Sequence, residues 1–413
     1  MHRIDNQFFI QNQNVLDLCK QYGTPLYVYD MAIIEQQYHR LLSAFGKQVR
    51  IKYACKALSN QNILHFIHLL GAGLDTVSIQ EVQKGLLAGF APSDIIFTPN
   101  CVSMNEIRQA VELGVMINID NLSILEQFGQ EYGNTVPVCV RLNPHIMAGG
   151  NHKISTGHVD SKFGISIYQM RHLERIIEQC NLQVTGLHVH TGSDILDTEV
   201  FMRGAEILLD VALHFKDLTF IDFGSGFKVP YRPSDVGTDI EALAAQLVPR
   251  FDEFCQQYGR PLQMQFEPGK FLVSQAGYFF AHVNVVKQTP ATIFAGLDTG
   301  FNHLIRPMFY DSYHHITNVS YPQGIMRFYT VVGYICETDT FAIDRRLNEV
   351  NEGDVLCFAN AGAYCFEMAS NYNSRVRPAE LMIYKNTAHL IRRRETLDDL
   401  LQTQIKIKID GFC

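Results

Sequence analysis

Lys56 is the residue whose position is most suggestive of chemistry, because it follows an apolar run that is typical of a buried β-strand. The run occupies residues 49–55 and reads Val-Arg-Ile-Lys-Tyr-Ala-Cys. A low dielectric disfavours an ammonium ion and lowers the pKa of a lysine from about 10.4. A neutral lysine amine is a nucleophile that can form a Schiff base. Taken alone, the residue is at least as well explained as a lysine whose stem packs while its amine reaches water.

A histidine ends another apolar run. His190 closes the run at 183–190, and the alternation of side chains along a strand places His188 on the same face. The functional interpretation of His190 is an imidazole stacked on a flat cofactor ring. The structural interpretation is a hydrogen-bonded core histidine, and both stay open at this point.

A carboxylate ends a third run. Glu267 closes the run at 262–267 and precedes Pro268, Gly269 and Lys270. Such a carboxylate can hydrogen-bond a pyridine nitrogen and keep it protonated, which makes the ring an electron sink for a carbanion. A salt bridge to Lys270 or another cation is the competing explanation.

Two short loops contain the glycines and hydroxyls that phosphate binding uses. Gly224, Ser225 and Gly226 follow the strand run Phe220-Ile221-Asp222, and Thr191-Gly192-Ser193 follows the run at 183–190. Glycines let backbone N–H groups approach phosphate oxygens closely. A plain tight turn explains either loop as well.

The C-terminal third of the chain holds groups suited to an amino-acid substrate. Arg306 offers a fork for a carboxylate, and Tyr310 and Tyr364 offer phenols. Glu337 can receive an ammonium group, and the adjacent Cys336 is a candidate acid near a reacting carbon.

The elements that position these residues read as an α/β fold. Apolar runs alternate with segments of helical spacing, and the runs lie at 49–55, 73–77, 94–98, 115–119, 136–142, 183–190, 218–224 and 262–267. Eight strand–helix repeats in about 240 residues predict a (β/α)8 TIM-type barrel, with a doubly wound open sheet as the alternative. Polar, charged or glycine residues end every run: Lys56, Asp75, Asn100, Asp120, Asn143, His190, Gly224–Gly226 and Glu267–Gly269. Since barrel active sites lie at the carboxyl ends of the strands, we expect the site there.

The remaining segments complete the predicted organisation. Residues 1–30 are expected to pair with a β-rich domain at 271–413, leaving 31–270 for the barrel. Strands are predicted at 279–286, 292–297, 328–335, 354–358 and 381–384. The glycine-rich stretch at 144–164 is interpreted as a mobile lid, since structureless loops of this length are usually functional or disordered.

Composition narrows the class of protein. The net charge of −8 argues against nucleic-acid binding and offers no basic stripe for a membrane. The ten cysteines are scattered without a Cys-x-x-Cys pair, which predicts reduced thiols rather than a disulfide framework or a metal site. No stretch approaches membrane-spanning length, so the sequence predicts a soluble cytoplasmic protein with no metal and no membrane partner.

Together the motifs resemble the diaminopimelate decarboxylases, which belong to the fold-type III pyridoxal-phosphate decarboxylases. The matching stretches occur in family order at 53–57, 158–165, 186–193, 222–226, 267–270, 305–314, 335–337 and 361–380. The most specific elements are Lys-Phe-Gly-Ile at 162–165, Cys-Glu at 336–337 and Asn-Tyr-Asn-Ser-Arg at 371–375. The resemblance implies a barrel with a β-rich C-terminal domain, as in alanine racemase and ornithine decarboxylase. It also implies a homodimer in which Cys336 and Glu337 enter the active site of the second subunit.

The resemblance further implies the roles of single residues. Lys56 would hold pyridoxal 5'-phosphate as an internal aldimine, and Lys56, Glu267 and Cys336 would be catalytic. The implied cofactor-binding residues are Lys56, His190, Ser193, Gly224, Ser225, Gly226, Glu267, Pro268, Gly269, Lys270 and Tyr364. The implied substrate-binding residues are Lys270, Arg306, Tyr310, Glu337 and Tyr364. The implied reaction is decarboxylation of meso-2,6-diaminopimelate to L-lysine, through a substrate aldimine and a quinonoid.

This sequence departs from the family pattern at two positions. Lys270 stands where the family usually has arginine, so a point charge replaces a fork. Ser225 interrupts the usual triple glycine and must tolerate the backbone angles of the turn. The alternatives are a related decarboxylase of ornithine, arginine or carboxynorspermidine, a racemase on the same barrel, and a cofactor-free regulatory homologue.

Overall fold

The computed structural model describes residues 1–46, 49–146 and 161–407. The chain divides into two compact units, one of Ile33–Gln275 and one that joins Met1–Ala32 to Ala276–Cys413. Most of the stretch predicted to be a lid, at 147–160, lies outside the described residues.

The elements are numbered in chain order. The strands are β1 His2–Ile4, β2 Gln7–Ile10, β3 Gln13–Asn14, β4 Leu26–Asp30, β5 Val49–Ala54, β6 Gly73–Thr76, β7 Ile95–Phe97, β8 Met116–Ile119, β9 Val138–Asn143, β10 Ile165–Ser166, β11 Val184–Val189, β12 Phe220–Asp222, β13 Gln263–Phe266, β14 Gly277–Gln288, β15 Ile293–Leu297, β16 Ile316–Asn318, β17 Met326–Val332, β18 Thr340–Asn348, β19 Val355–Phe358, β20 Ala379–Tyr384 and β21 Thr387–Arg392. The helices are α1 Val15–Tyr22, α2 Met31–Phe45, α3 Gln61–Leu69, α4 Ile79–Leu87, α5 Met104–Glu112, α6 Leu122–Tyr132, α7 Met170–Cys180, α8 Thr198–Ala212, α9 Ile240–Tyr258, α10 Lys270–Val273, α11 Arg306–Tyr310 and α12 Leu397–Leu401.

The unit at Ile33–Gln275 is a closed barrel of eight parallel strands. Hydrogen bonds run in the order β5, β6, β7, β8, β9, β11, β12 and β13. Pairing of β13 with β5, in which Met264 lies opposite Val49, closes the ring. The predicted (β/α)8 barrel is therefore confirmed, and the doubly wound alternative is wrong because the sheet has no open end. The short strand β10 pairs with β9 beside the ring.

The barrel strands read as continuous apolar runs because both of their faces are covered. Every residue of β6, β9 and β11 is buried, as expected for a parallel sheet enclosed by helices. The helices begin at residues that accept backbone N–H groups, such as Asn60 before α3, Ser78 before α4 and Asp239 before α9. These caps fix where each strand–helix connection ends, and hence where the rim of the barrel lies.

The other unit is a β-rich domain. Its main sheet has the order β18, β17, β15, β14, β4, β20 and β21, and β19 pairs with both β14 and β16. β4 lies between β14, to which it is antiparallel, and β20, to which it is parallel. The N-terminal residues thus supply a central strand, and their apolar side chains Ile10, Val15, Leu18, Leu26 and Val28 join one core with residues from 278–383.

Two sequence predictions fail in this domain. The strand predicted at 328–335 ends at Val332, because the backbone N–H of Gly333 bonds to the carbonyl of Asp339 and closes a turn. Strand β18 was not predicted, since its centre carries Asp344, Arg345 and Arg346 in place of apolar residues.

Among the described residues, none of the helices is long and apolar enough to cross a membrane.

Candidate active site

Lys56 lies at the carboxyl end of β5, in a 3-10 turn over Cys55–Ala57. Its side chain is 46% exposed, so the burial expected for it is wrong: the turn lifts the residue out of the strand. The Lys56 Nζ lies 3.6 Å from Oδ2 of Asp75, which is 1% exposed at the end of β6. Burial, and then the negative charge of Glu267, raise the pKa of Asp75 to about 6. The amine therefore stands at the rim with a buried carboxyl group beside it.

Glu267 follows β13 and is 7% exposed. Its Oε2 lies 3.1 Å from Nε2 of His188, while its Oε1 is buried without a hydrogen-bond partner. Burial alone would raise the pKa of Glu267, but its interactions with His188, and then with Lys56, outweigh burial and lower it. Burial and the charge of Glu267 raise the pKa of Asp222 well above its usual range. Of these two buried carboxyl groups, Glu267 is the anion and Asp222 keeps its proton.

Donor atoms of His188, Asp222 and Glu267 lie within 4.8 Å of one another, a grouping that can in principle hold a metal ion. A cation would have to displace the proton of Asp222 and the contact between His188 and Glu267. The open Oε1 of Glu267 is better suited to a single hydrogen-bond donor, such as a protonated ring nitrogen.

His190 follows β11 at the same rim. Burial, and then the charges of Arg141 and Lys56, lower the pKa of His190 well below its usual range. The backbone N–H of Ser225 donates to its Nδ1 at 3.4 Å. The imidazole is therefore neutral, which suits contact with the face of a flat ring.

The loop after β12 and the loop after β11 form a cradle that only glycine backbone can shape. Gly224 has φ 63° and Gly226 has φ 91°. A Cβ atom at Gly226 would lie 2.1 Å from the carbonyl oxygen of Gly192, and one at Gly224 would lie 2.6 Å from that of Val189. The N–H of Ile195 donates to the carbonyl of Gly226 at 2.8 Å, so the loop that carries Ser193 is tied to this turn.

Ser225 is compatible with this turn. The positive φ angles fall on Gly224 and Gly226, its two neighbours. The Ser225 hydroxyl donates to the carbonyl of Glu267 at 2.9 Å, and the N–H of Glu267 donates to the carbonyl of Gly224 at 2.7 Å. Serine in place of the second glycine thus adds a hydrogen bond between the glycine turn and Glu267, the residue that follows β13.

The segment after Glu267 lies against the segment that carries Lys56. Pro268 accepts the N–H of Ala54 at 3.3 Å, which joins this segment to the strand that leads to Lys56. A Cβ atom at Gly269 would lie 3.0 Å from that of Ala57. Lys270 is 12% exposed, and its ammonium group forms an ion pair with Asp194. The salt bridge considered between Glu267 and Lys270 is thus replaced by two other pairs.

The β-rich domain brings three predicted substrate-binding residues together. Arg306 begins α11 and is 8% exposed. Its guanidinium carbon lies 5.6 Å from the ring of Tyr310 and 5.7 Å from that of Tyr364. Tyr364 has φ 58°, an uncommon backbone angle for a residue with a side chain. The cluster offers a charged fork and two phenols, which is chemistry suited to a carboxylate.

Cys336 and Glu337 lie in the exposed turn between β17 and β18. Asn373 donates an amide hydrogen to the Cys336 Sγ at 3.2 Å, and the hydroxyl of Tyr372 donates to Glu337. Asn373 and Ser374 both have φ 55°, so two successive non-glycine residues adopt left-handed backbone here. Strain of this kind concentrates at functional sites. We call Tyr372 and Asn373 the clamp of this turn.

Buried Asp339 organises the base of the same turn. Its carboxylate accepts the N–H groups of Phe301 at 2.6 Å and Ile335 at 2.9 Å. Burial raises the pKa of Asp339 to about 6.

Several residues at these sites were not singled out from the sequence. Asn118, Arg141 and Asp222 are polar residues inside apolar strand runs, and that mismatch was the available signal. Asp194 and Lys270 are 76 positions apart in the sequence, and Tyr372 and Glu337 are 35 positions apart. Local sequence patterns therefore do not predict either contact.

The barrel side fits pyridoxal phosphate. It offers a rim amine at Lys56, a glycine cradle that a Cβ atom would fill, and a buried Glu267 oxygen without a partner. These groups match an aldehyde, a phosphate and a pyridine nitrogen respectively.

Comparison with known proteins indicates the same cofactor. Residues 31–274 match the family described as the pyridoxal-binding domain of pyridoxal-dependent decarboxylases. The diaminopimelate decarboxylase of Methanothermobacter thermautotrophicus is 39% identical over 407 residues, which is 96% of this chain and 95% of that protein.

Solved structures show the same similarity. The diaminopimelate decarboxylase of Methanocaldococcus jannaschii superposes with a TM-score of 0.90 at 32% identity, covering 98% of both chains. That of Helicobacter pylori, complexed with L-lysine, superposes with a TM-score of 0.86 at 32% identity, covering 94% of this chain and 98% of that one. The chain therefore belongs to the diaminopimelate decarboxylases, within the pyridoxal-dependent decarboxylase family.

Proposed function

We propose that this protein decarboxylates meso-2,6-diaminopimelate at its D-centre and releases L-lysine and CO2, the final step of L-lysine biosynthesis. The main support for this substrate is the 39% identity to a diaminopimelate decarboxylase over 96% of the chain. The Helicobacter pylori relative, complexed with L-lysine, supports the product.

The barrel residues would hold the cofactor. Lys56 would bind it covalently through Nζ, the loops with Ser193 and Gly224–Gly226 would receive the phosphate, and Glu267 would accept the ring N–H. His190 would cover the ring as a neutral imidazole. Pyridoxal phosphate, when bound, supplies an electron sink for the charge left on the substrate α-carbon after CO2 departs.

The chain's own groups then orient the substrate. The distal L-centre of meso-diaminopimelate carries an ammonium and a carboxylate, which suit Glu337 and the Arg306 cluster with Tyr310 and Tyr364. Lys270 would add a positive charge on the barrel side, tempered by Asp194. Charge-assisted hydrogen bonds of this kind fix both position and register of a substrate.

Proton delivery is assigned to Cys336. Its thiol would transfer a proton to the α-carbon, and Asn373 would orient the sulfur through the 3.2 Å contact. A positioned acid contributes about 10²- to 10⁴-fold to a rate.

We also propose a homodimer with shared active sites, in which Cys336 and Glu337 serve the partner subunit. The exposure of this turn supports the idea, because a reacting thiol at the surface needs a second surface to exclude water. A biosynthetic role of this kind places the protein in the cytoplasm.

The test is a turnover comparison with purified protein and pyridoxal phosphate. The protein should show a visible absorbance band and release equal amounts of CO2 and L-lysine from meso-diaminopimelate. Faster turnover of ornithine, arginine or carboxynorspermidine would support the proposed cofactor but show that the proposed substrate is wrong. Retention of CO2 with inversion at the α-carbon would indicate a racemase, and the absence of a band would indicate the cofactor-free homologue.

A further inference from the structure

A buried chain of polar side chains leads from the barrel wall to Glu267, through hydrogen bonds as far as His188 and then through a 3.1 Å contact. Its members are Thr98 after β7, Asn118 on β8 and His188 on β11, which are 5%, 0% and 1% exposed. The amide nitrogen of Asn118 lies 2.8 Å from Nδ1 of His188 and 3.3 Å from Oγ1 of Thr98. The chain is therefore sequestered from water and reaches the carboxylate from the interior of the unit.

The amide of Asn118 assigns the tautomer of His188. An amide NH₂ group donates and does not accept, so the facing Nδ1 atom must be an acceptor. A proton on Nδ1 would point at the hydrogens of Asn118. The imidazole hydrogen is therefore on Nε2, the atom that lies 3.1 Å from Oε2 of Glu267, although the geometry of this contact does not meet that of an aligned hydrogen bond.

This arrangement separates the two oxygens of Glu267. Oε2 lies 3.1 Å from Nε2 of His188, whereas Oε1 is buried without a hydrogen-bond partner. A carboxylate held by one oxygen cannot turn freely about its terminal torsion, so Oε1 keeps one direction. A buried charge left without such a donor would be strongly disfavoured.

We propose that His188 is a positioning residue, oriented by Asn118, that holds Glu267 with Oε1 directed at the cofactor ring nitrogen. The inference rests on the proposed role of Glu267 toward pyridoxal phosphate. Thr98 anchors the far end of the chain by accepting the second amide hydrogen of Asn118. In metal sites, loss of an outer-shell partner of a ligand typically costs about 10- to 100-fold in affinity or activity, and we expect a loss of similar size here.

The experiment titrates pyridoxal 5'-phosphate, and its 1-deaza analogue in which carbon replaces the ring nitrogen, into full-length protein. In His188→Leu the dissociation constant for pyridoxal phosphate should rise about 10- to 100-fold. His188→Gln, whose amide nitrogen can donate to Glu267, should recover most of the loss. For the deaza analogue, wild type and His188→Leu should bind alike, because the ring offers Glu267 no N–H.

Three results would overturn the inference while the proposed function stands. They are equal binding of pyridoxal phosphate by wild type and His188→Leu, an equal loss for both ligands, or no recovery in His188→Gln. The second would show a merely structural role.

Asn118→Leu keeps the imidazole and provides the same test if His188→Leu does not fold. It should weaken pyridoxal phosphate binding by a smaller factor and leave the analogue unaffected, and an equal loss for both ligands would again overturn the inference. Failure of the wild type to bind pyridoxal phosphate would overturn the proposed function, and this inference with it.

Discussion

The two sets of candidate active-site residues differ in how they are supported. In the barrel, Asp75, His188 and Glu267 are 1%, 1% and 7% exposed, and each lies close to another titratable group: Asp75 to Lys56, and His188 to Glu267. In the β-rich domain, Cys336 and Glu337 lie in an exposed turn whose clamp residue Tyr372 is 42% exposed. The barrel residues are positioned by buried neighbours before any ligand binds. The turn is positioned mainly by the clamp residues at its surface.

The difference corresponds to the chemistry expected of each set. Stabilising charge on a bound ring needs fixed dipoles in a low dielectric, and the barrel supplies them. Delivering a proton from a thiol needs access, and an exposed turn supplies it at the cost of rigidity. A covering surface, which we propose to be the second subunit, would restore the dry surroundings that proton transfer requires.

The largest expected effect is at the barrel rim. Lys56→Ala removes the proposed covalent anchor and should lower CO2 release by at least about 10³-fold, together with the visible absorbance band. Lys56→Arg is the matched control, because it keeps a cation beside Asp75 without the nucleophile and should lose as much. Activity within tenfold of wild type in either variant would refute covalent attachment at this residue.

The exposed turn should show a smaller loss. Cys336→Ala is expected to lower kcat by about 10²-fold or more with little change in KM, since it removes the proposed proton donor. Cys101→Ser, at the other exposed cysteine among the described residues, should behave as wild type. Steady-state assays of CO2 release measure both.

The clamp sharpens this contrast. Asn373→Ala should lower kcat by about tenfold, because the thiol loses its 3.2 Å partner but remains present. If Asn373→Ala lowered kcat as much as Cys336→Ala does, the position of the thiol would matter as much as its presence. That result would contradict the contrast between a rigid barrel site and a less rigid turn.

A few-fold effect is expected where this chain departs from its family. Lys270→Arg should lower KM for diaminopimelate by about 3- to 10-fold with kcat unchanged, since a guanidinium can hold Asp194 and still present N–H groups to a carboxylate. Titration of pyridoxal phosphate serves as the control. A change in that affinity, with KM constant, would show that Lys270 faces the cofactor instead.

A buried histidine of the β-rich domain, His303, can be tested by pH; it lies between β15 and α11, with its Nε2 3.0 Å from the carbonyl of Val376. Burial lowers the pKa of His303 to about 4 from 6.5, although its contact with the carbonyl of Val376 opposes the shift. Between pH 6.5 and 4 the unfolded chain therefore binds one proton that the folded chain does not. Stability from this group is complete above pH 6.5 and is lost as pH falls, by at most about 1.4 kcal/mol per pH unit.

In His303→Gln the extra acid sensitivity should disappear. Urea unfolding of both proteins at pH 4.5 and 7 should give a free energy of unfolding whose pH dependence is weaker in the variant by about 2 kcal/mol. Asp339 titrates with the opposite sign but is present in both proteins, so it cancels. Equal pH dependence would mean that His303 is protonated in the native state.

Much of the fold was predictable because its pattern is local. Eight apolar runs ended by polar residues led to the barrel, and the rim positions of Lys56, His190 and Glu267 followed from strand ends. The glycines at 224 and 226 also matched a positive-φ turn.

The rest depends on distances in space that a single sequence does not carry. The contact of Asn118 with His188 joins residues 70 positions apart, and only barrel closure sets that register. The exposure of Lys56 was mispredicted because a 3-10 turn, not the strand, carries it. Strand β18 has no apolar signal, because a surface strand keeps its backbone hydrogen bonds even when its centre is charged.

The most direct test of the proposal that the two sets of residues serve one active site is subunit mixing. Lys56→Ala and Cys336→Ala, each inactive alone, are denatured together, refolded with pyridoxal phosphate and assayed for L-lysine. If Lys56 of one copy works with Cys336 of another, half of the dimers are mixed and each has one intact site, so activity should return to about one quarter of wild type. Mixed dimers that form but stay inactive would contradict it.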